Sequence, residues 1–158
     1  MTETLRTPAG AALSDLVLDF FKLTSRMLTT GDGLVAGLGL TSARWQVLGS
    51  IVMADRPQPV AWLARDMGAN RQNIQRIVND LLKEEMVVLV TNPHHRRAPL
   101  VMLTDKGIEV FDAAMRLQAP WINSLSEGLG VDDLDATRRV VTKLRRRLEG
   151  DEEECGGR

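Results

Sequence analysis

Gln72, Arg76, Asn79 and Lys83 recur at steps of four, three and four residues. On a helix they form one stripe, with Asn73 and Gln75 flanking it. No acidic residue interrupts the run from Arg71 to Asn79. Arginine, glutamine and asparagine carry paired hydrogen-bonding groups that match the major-groove edges of guanine and adenine. An ordinary exposed helix surface favours glutamate and lysine instead, which form helix well and need no partner. Amides and guanidinium groups in the first two turns therefore point to readout of base edges. Ile74, Ile77, Val78, Leu81 and Leu82 take the opposite side and give the helix an apolar underside.

A second cluster follows at Asn92-Pro93-His94-His95-Arg96-Arg97, again without an acid. A basic tip of this kind reaches phosphates or a minor groove. The rival chemistry is a metal site on His94 and His95. Neighbouring histidines supply two ligands at most, and no Cys, Asp or Glu lies close in sequence to complete a set. Catalytic chemistry finds no support. Gly31, Gly33, Gly37 and Gly39 do not follow a strand, so they are no nucleotide fingerprint. The single cysteine, Cys155, sits in a polar tail and lacks the setting that would lower its pKa for redox sensing. The expectation is a protein without cofactor or metal, and not an enzyme.

The elements that must position these residues can be read from periodicity. Leu13, Leu16, Val17, Phe20, Leu23 and Met27 mark a helix over residues 11–29, ended by the glycine-rich stretch from Thr30 to Gly39. Thr41 caps a second helix carrying Trp45, Leu48, Ile51 and Val52, and Pro57 and Pro59 stop it. A short third helix spans Val60 to Met67. Ala64 allows a close helix crossing, Gly68 supplies the left-handed turn, and Asn70 caps a fourth helix running to about Met86. Two helices joined this way form a helix-turn-helix. Val87–Val90 and Leu100–Leu103 read as the strands of a hairpin around the basic tip. Thr104 caps a fifth helix to Leu129, which Pro120 should kink or split. Asp132 and Asp135 resemble a capping pair for a sixth helix, whose seam is Leu134, Thr137, Val141, Leu144 and Leu148.

Bulk properties set few further limits. The 158 residues fit one domain. No run of apolar residues is long enough to span a membrane, and Met1 to Pro8 lacks an apolar signal core, so a cytoplasmic protein is expected. Net charge is −1, but the last ten residues hold five acids and one arginine. Without them, 19 basic and 16 acidic residues leave a net of +3. The segment 150–158 is expected to be a disordered acidic tail on a mildly basic body.

The runs PVAWLARDMGANRQNIQRIVNDLLKEEMVV and NPHHRRAPLVMLTDKG, with Leu103, Thr104 and Gly107 opening a helix after the hairpin, resemble the MarR (multiple antibiotic resistance regulator) family of bacterial regulators. The resemblance covers nearly the whole chain. It implies a mainly α fold with a small β-hairpin wing: a winged helix-turn-helix over 41–104 with dimerisation helices over 10–38 and 105–149. It further implies a transcriptional regulator, most often a repressor, that binds a pseudo-palindromic operator in double-stranded DNA as a homodimer. In that arrangement Gln72, Asn73, Gln75 and Arg76 read bases beside Asn79. Arg71, Lys83 and Arg96 hold phosphates, and Arg97 enters the minor groove. A small aromatic or anionic effector in a cleft is also implied, with Arg44, Trp45, Met53 and Trp62 as candidate lining. The tryptophans have core packing as their rival role.

The wing departs from the family pattern, in which aspartates brace the tip arginine. Asn92, His94 and His95 stand there instead, leaving an amide or a neutral histidine as the brace. Histidines gain charge in mild acid, so operator affinity at fixed salt is expected to rise between pH 7.5 and pH 6. Equal affinity at both ends of that range would remove the histidines from the interface. A winged-helix module that binds protein rather than DNA is the alternative reading, and steep salt dependence of duplex binding separates the two.

Overall fold

The computed structural model describes residues 6–155, with side chains for residues 6–150. Two compact units are distinguished, residues up to Ala119 and residues from Pro120 onward.

The first unit opens with α1 (Pro8–Val35), capped by Thr7, whose hydroxyl accepts from the Gly10 amide. This helix runs well past the expected end near Thr29. Gly31 does not break it, because Gly31 is a packing residue. A Cβ there would press on the buried hydroxyl of Ser42, which donates to the Leu28 carbonyl at 2.7 Å. Asp32 accepts from the Ser42 amide at 2.6 Å, so the end of α1 holds the start of α2 (Ser42–Met53). The actual stop comes after a 3-10 turn (Ala36–Leu38), at Gly39 with φ 71°. Thr41 caps α2 as expected.

Next come β1 (Gln58–Pro59), α3 (Val60–Asp66) and α4 (Arg71–Lys83). The hairpin β2 (Val87–Val90) and β3 (Leu100–Leu103) follows, with Val87 opposite Leu103 and Leu89 opposite Val101. The sheet has three strands in the order β1-β3-β2, all antiparallel. Only two strands were expected. Gln58 pairs with Val101 across more than forty residues, a contact that leaves no local pattern, and the flanking prolines read only as a stop. Val35, Val47, Leu48, Leu63, Ile74, Val78, Leu81 and Val101 are fully buried and form one core beneath the sheet and helices.

The fifth helix, α5 (Asp105–Leu125), begins in the first unit. Pro120 lies inside it without splitting it, and the helix ends four residues before the expected Leu129. In the second unit, α6 (Val131–Cys155) starts at Gly130, whose carbonyl accepts from the Leu134 amide. Asp132 and Asp135 make no capping bond there. Asp132 lies in the first turn, and Asp135 lies 4.0 Å from Arg138 as an ion pair. The helical backbone continues through the acidic segment to Cys155 rather than leaving the helix at 150, and residues 156–158 lie outside the described residues. Among the described residues, no helix is long and apolar enough to cross a membrane.

Candidate nucleic-acid interface

The turn between α3 and α4 is closed by backbone bonds from Met67 to Leu63, Gly68 to Arg65 and Ala69 to Ala64. Gly68 takes φ 61°, where a side chain is disfavoured, and the buried Ala64 lets the helices cross closely. Asn70 then caps α4, its side-chain oxygen accepting from the amides of Gln72 at 2.8 Å and Asn73 at 3.3 Å. Ile74, Ile77, Val78 and Leu81 are buried, which fixes the rotation of α4 about its axis.

That rotation exposes Arg71, Gln72, Asn73, Arg76, Asn79 and Lys83, with Gln75 half-buried. Arg71, Gln72, Gln75, Arg76 and Asn79 line one open, shallow hollow. Two internal bonds pre-set the surface. Arg76 donates to the Asn73 side chain at 3.0 Å, and Gln75 donates to Asn79 at 3.0 Å. Lys83 stands apart at the far end of the helix, 3.7 Å from Asp80.

The wing tip is braced by an amide. Asn92 is buried, its nitrogen donates to the Ala98 carbonyl at 2.9 Å, and its oxygen accepts from the His94 amide at 3.0 Å. Backbone bonds from His95 to Asn92 and from Ala98 to His95 complete the turn. His94, His95, Arg96 and Arg97 are left exposed. Asn92→Ala should cost about 1–3 kcal/mol through the polar groups it strands. It should also loosen the tip, raising amide exchange at His94 and Ala98. Unchanged exchange would mean that the amide is not the brace.

The four candidate effector residues do not converge. Arg44 is bound to Glu84 at 2.7 Å, lies 3.8 Å from Asp80, and donates to the Gly39 carbonyl. Its guanidinium thereby ties the start of α2 to the end of α4. Trp45 belongs to the core. Met53 is 86% exposed. Trp62 is exposed on α3 with the guanidinium carbons of Arg56 and Arg65 each 5.6 Å from its ring centre. A separate hollow of about 420 Å³ lies between α2, β3 and α5, lined by Ile51, Val52, Arg56, Met102, Ile108 and Phe111 among others. Sequence reasoning missed it because its walls come from three distant segments.

The junction after α4 explains the motif Leu103-Thr104-x-x-Gly107. Glu85 closes α4 at φ 59°. The Thr104 amide donates to the Met86 carbonyl at 3.1 Å, and the Thr104 hydroxyl donates to the Glu85 carbonyl at 2.6 Å. The same hydroxyl caps α5 by accepting from the Gly107 amide at 3.0 Å. Gly107 is buried against the Met86 carbonyl, and a Cβ there would overlap its oxygen.

Comparison with known proteins agrees with this geometry. A model of the MarR family matches residues 38–98. The uncharacterised protein Rv2011c of Mycobacterium tuberculosis is 36% identical over 132 residues, covering 84% of this chain and 91% of its own. The transcriptional activatory protein BadR of Rhodopseudomonas palustris is 27% identical over 135 residues, covering 79% of this chain and 75% of its own. The M. tuberculosis transcriptional regulator MOSR, solved in complex with DNA, has the same fold, with a TM-score of 0.72 at 19% identity over 85% of this chain and 96% of its own. The family and the regulators named here are not enzymes. A mainly helical chain with a small antiparallel sheet and a winged helix-turn-helix, matched by the family model over residues 38–98 and by a 36% identical relative over 84% of its length, belongs to the MarR family of transcription regulators.

Proposed function

We propose that the chain binds a pseudo-palindromic operator as a homodimer, with α4 in the major groove and the wing along the backbone. The observation that carries this reading is the exposed face of α4, acid-free from Arg71 to Asn79 and rotated outward by four buried aliphatic residues. Gln72, Asn73, Gln75, Arg76 and Asn79 read bases. Arg71, Lys83 and Arg96 neutralise phosphates, His94 and His95 lie beside them on the wing, and Arg97 enters the minor groove. Complex formation with DNA by MOSR, which shares the fold, supports the assignment.

Dimerisation is supported by apolar surface that each unit leaves uncovered. Leu18, Phe21 and Leu23 on α1 are more than half exposed, as are Val131 and Leu148 on α6. Monomeric soluble proteins rarely leave this much apolar surface in water. A sedimentation mass near 17.5 kDa at micromolar concentration would contradict the dimer. Two-fold symmetry sets the half-sites about one helical turn apart.

The mechanism is steric occupation of a promoter, as a repressor. The relative BadR, a transcriptional activatory protein, favours the opposite sign. A small effector would act by preferring one arrangement of the protein. The hollow between α2, β3 and α5 is its proposed seat. Asp55 and Asp112 share its lining with Arg56, so its charge favours a neutral aromatic compound over an anion.

The test is selection of bound duplexes from a random pool, repeated at two salt concentrations. The expected result is a two-fold symmetric motif, bound more weakly at high salt. A folded dimer that enriches no sequence would overturn the reading in favour of a protein-binding module.

A further inference from the structure

Six of the chain's 20 basic residues fall within ten positions of α6: Arg138, Arg139, Lys143, Arg145, Arg146 and Arg147. No acid lies between positions 136 and 148. Five of the six share a face. Arg138 and Arg146 lie on one row with Thr142, and Arg139, Lys143 and Arg147 lie on the adjacent row at i, i+4 steps. These five basic side chains and Thr142 line one open surface. At 100° per residue the seam Leu134, Thr137, Val141, Leu144 and Leu148 points the opposite way. A dimer that buries the seam therefore leaves the basic face in water.

Such a face is not what helix stability alone would select. Arg139–Lys143, Lys143–Arg146 and Lys143–Arg147 are like-charge neighbours, each unfavourable to the helix where a glutamate would be favourable. The acids that would relieve this stand at the ends of the basic stretch. Among the described side chains, the ion pairs of α6 are Arg138–Asp135 at 4.0 Å and Arg145–Glu149 at 3.4 Å.

The surface is open and linear, and its lining comes from one face of a single helix, so it does not enclose a small anion on all sides. Its ten residues extend about 13 Å along the axis. Duplex DNA presents about eight phosphate charges over that length, one per roughly 1.7 Å. We propose that the basic face of α6 is a second, sequence-independent site for the phosphate backbone of duplex DNA, separate from the α4 interface. The dimer rests on the reading given above, but the charge pattern of α6 does not. The bound phosphates belong either to DNA flanking the operator or to a second duplex.

The experiment compares the full-length protein with R139Q/K143Q/R147Q and with R71A/R76A. Glutamine retains helix propensity close to that of the residues replaced, and circular dichroism with sedimentation checks that the variant remains a folded dimer. The probes are a minimal operator duplex, the same operator with random flanks, and a random duplex of equal length. The α6 variant should hold the minimal operator within two-fold of wild type. It should lose at least ten-fold on the random duplex, with a salt slope shallower by about 0.9 for each phosphate contact removed. R71A/R76A should lose operator preference yet keep random-duplex binding. A loss that also appears on the flanked operator but not on the minimal operator identifies flanking DNA, whereas loss of energy transfer between two separately labelled duplexes identifies bridging.

Equal binding of all probes by the α6 variant and wild type, with equal slopes, overturns the second site and leaves the operator reading intact. Random-duplex binding that depends on α6 without any operator preference in wild type supports the second site and overturns the operator reading. Failure of wild type to bind any duplex overturns both.

Discussion

Arg76→Ala should weaken operator binding by about 1–3 kcal/mol for each half-site and relax selectivity at one base position in each. That is roughly a five- to 150-fold loss per half-site. The size follows from chemistry and preparation together. A guanidinium meets guanine through two parallel donors, and truncation leaves the base acceptors without a partner. In the free protein Arg76 already donates to Asn73, which holds it near the first turn of α4 instead of letting it sample solvent. Less side-chain entropy is then lost on docking. Lys83→Ala is the contrasting change. Lys83 sits twelve residues beyond Arg71, beside Asp80, and its loss should lower affinity slightly and equally for all sequences. Binding of the selected operator and its single-base variants by titration checks both. Arg76→Ala with wild-type affinity and selectivity would mean that α4 does not dock as proposed.

Gly107→Ala should destabilise the protein by about 3 kcal/mol or more, with a fall in Tm of roughly 6–12 °C. One methyl group has this effect because the atom it meets is backbone. The Met86 carbonyl is held by the Thr104 amide, and the chain on either side belongs to the end of α4 and the start of β2. Neither α5 nor the turn after α4 can yield without breaking the bonds that Thr104 makes to both. Gly33→Ala is the control. Gly33 is exposed within α1 and nothing lies within 4 Å of the added carbon, so alanine should raise stability by about 0.5–1 kcal/mol. Thermal unfolding of both variants tests the contrast, and equal Tm values would refute the packing argument.

These two positions show which features local sequence rules specify. The α4 face was legible because local rules agree there. A cap, a period and a turn glycine each specify the same rotation, and Asn70, Ile74 and Gly68 occupy the places those rules require. The hairpin was legible for the same reason. What escaped depends on partners distant in sequence. Gly31 looks like a helix breaker until Ser42 is placed against it. β1 exists only because Val101 is available to pair with Gln58. The candidate effector residues are scattered for a related reason. Arg44 resembles an anion ligand by type, but its carboxylate partners, Asp80 and Glu84, lie about forty residues away. The basic face of α6 was present in the sequence throughout, but was hidden in the count by the acidic end of the same helix.

The engagement of Arg44 with Asp80 and Glu84 also bears on how the protein meets DNA. Peptide dipoles make the first turn of α4 positive and its last turn negative. Arg71 and Arg76 reinforce the first end, while Asp80 and Glu84 would otherwise deepen the second into a patch that repels phosphate. With Arg44 offsetting those acids, the helix presents a graded field, positive toward Asn70 and close to neutral toward Lys83. In the docking proposed for α4, that gradient would turn a duplex arriving by diffusion before any base is touched and favour one docking polarity during encounter. Arg44 would then influence how often collisions succeed, from outside the proposed reading surface.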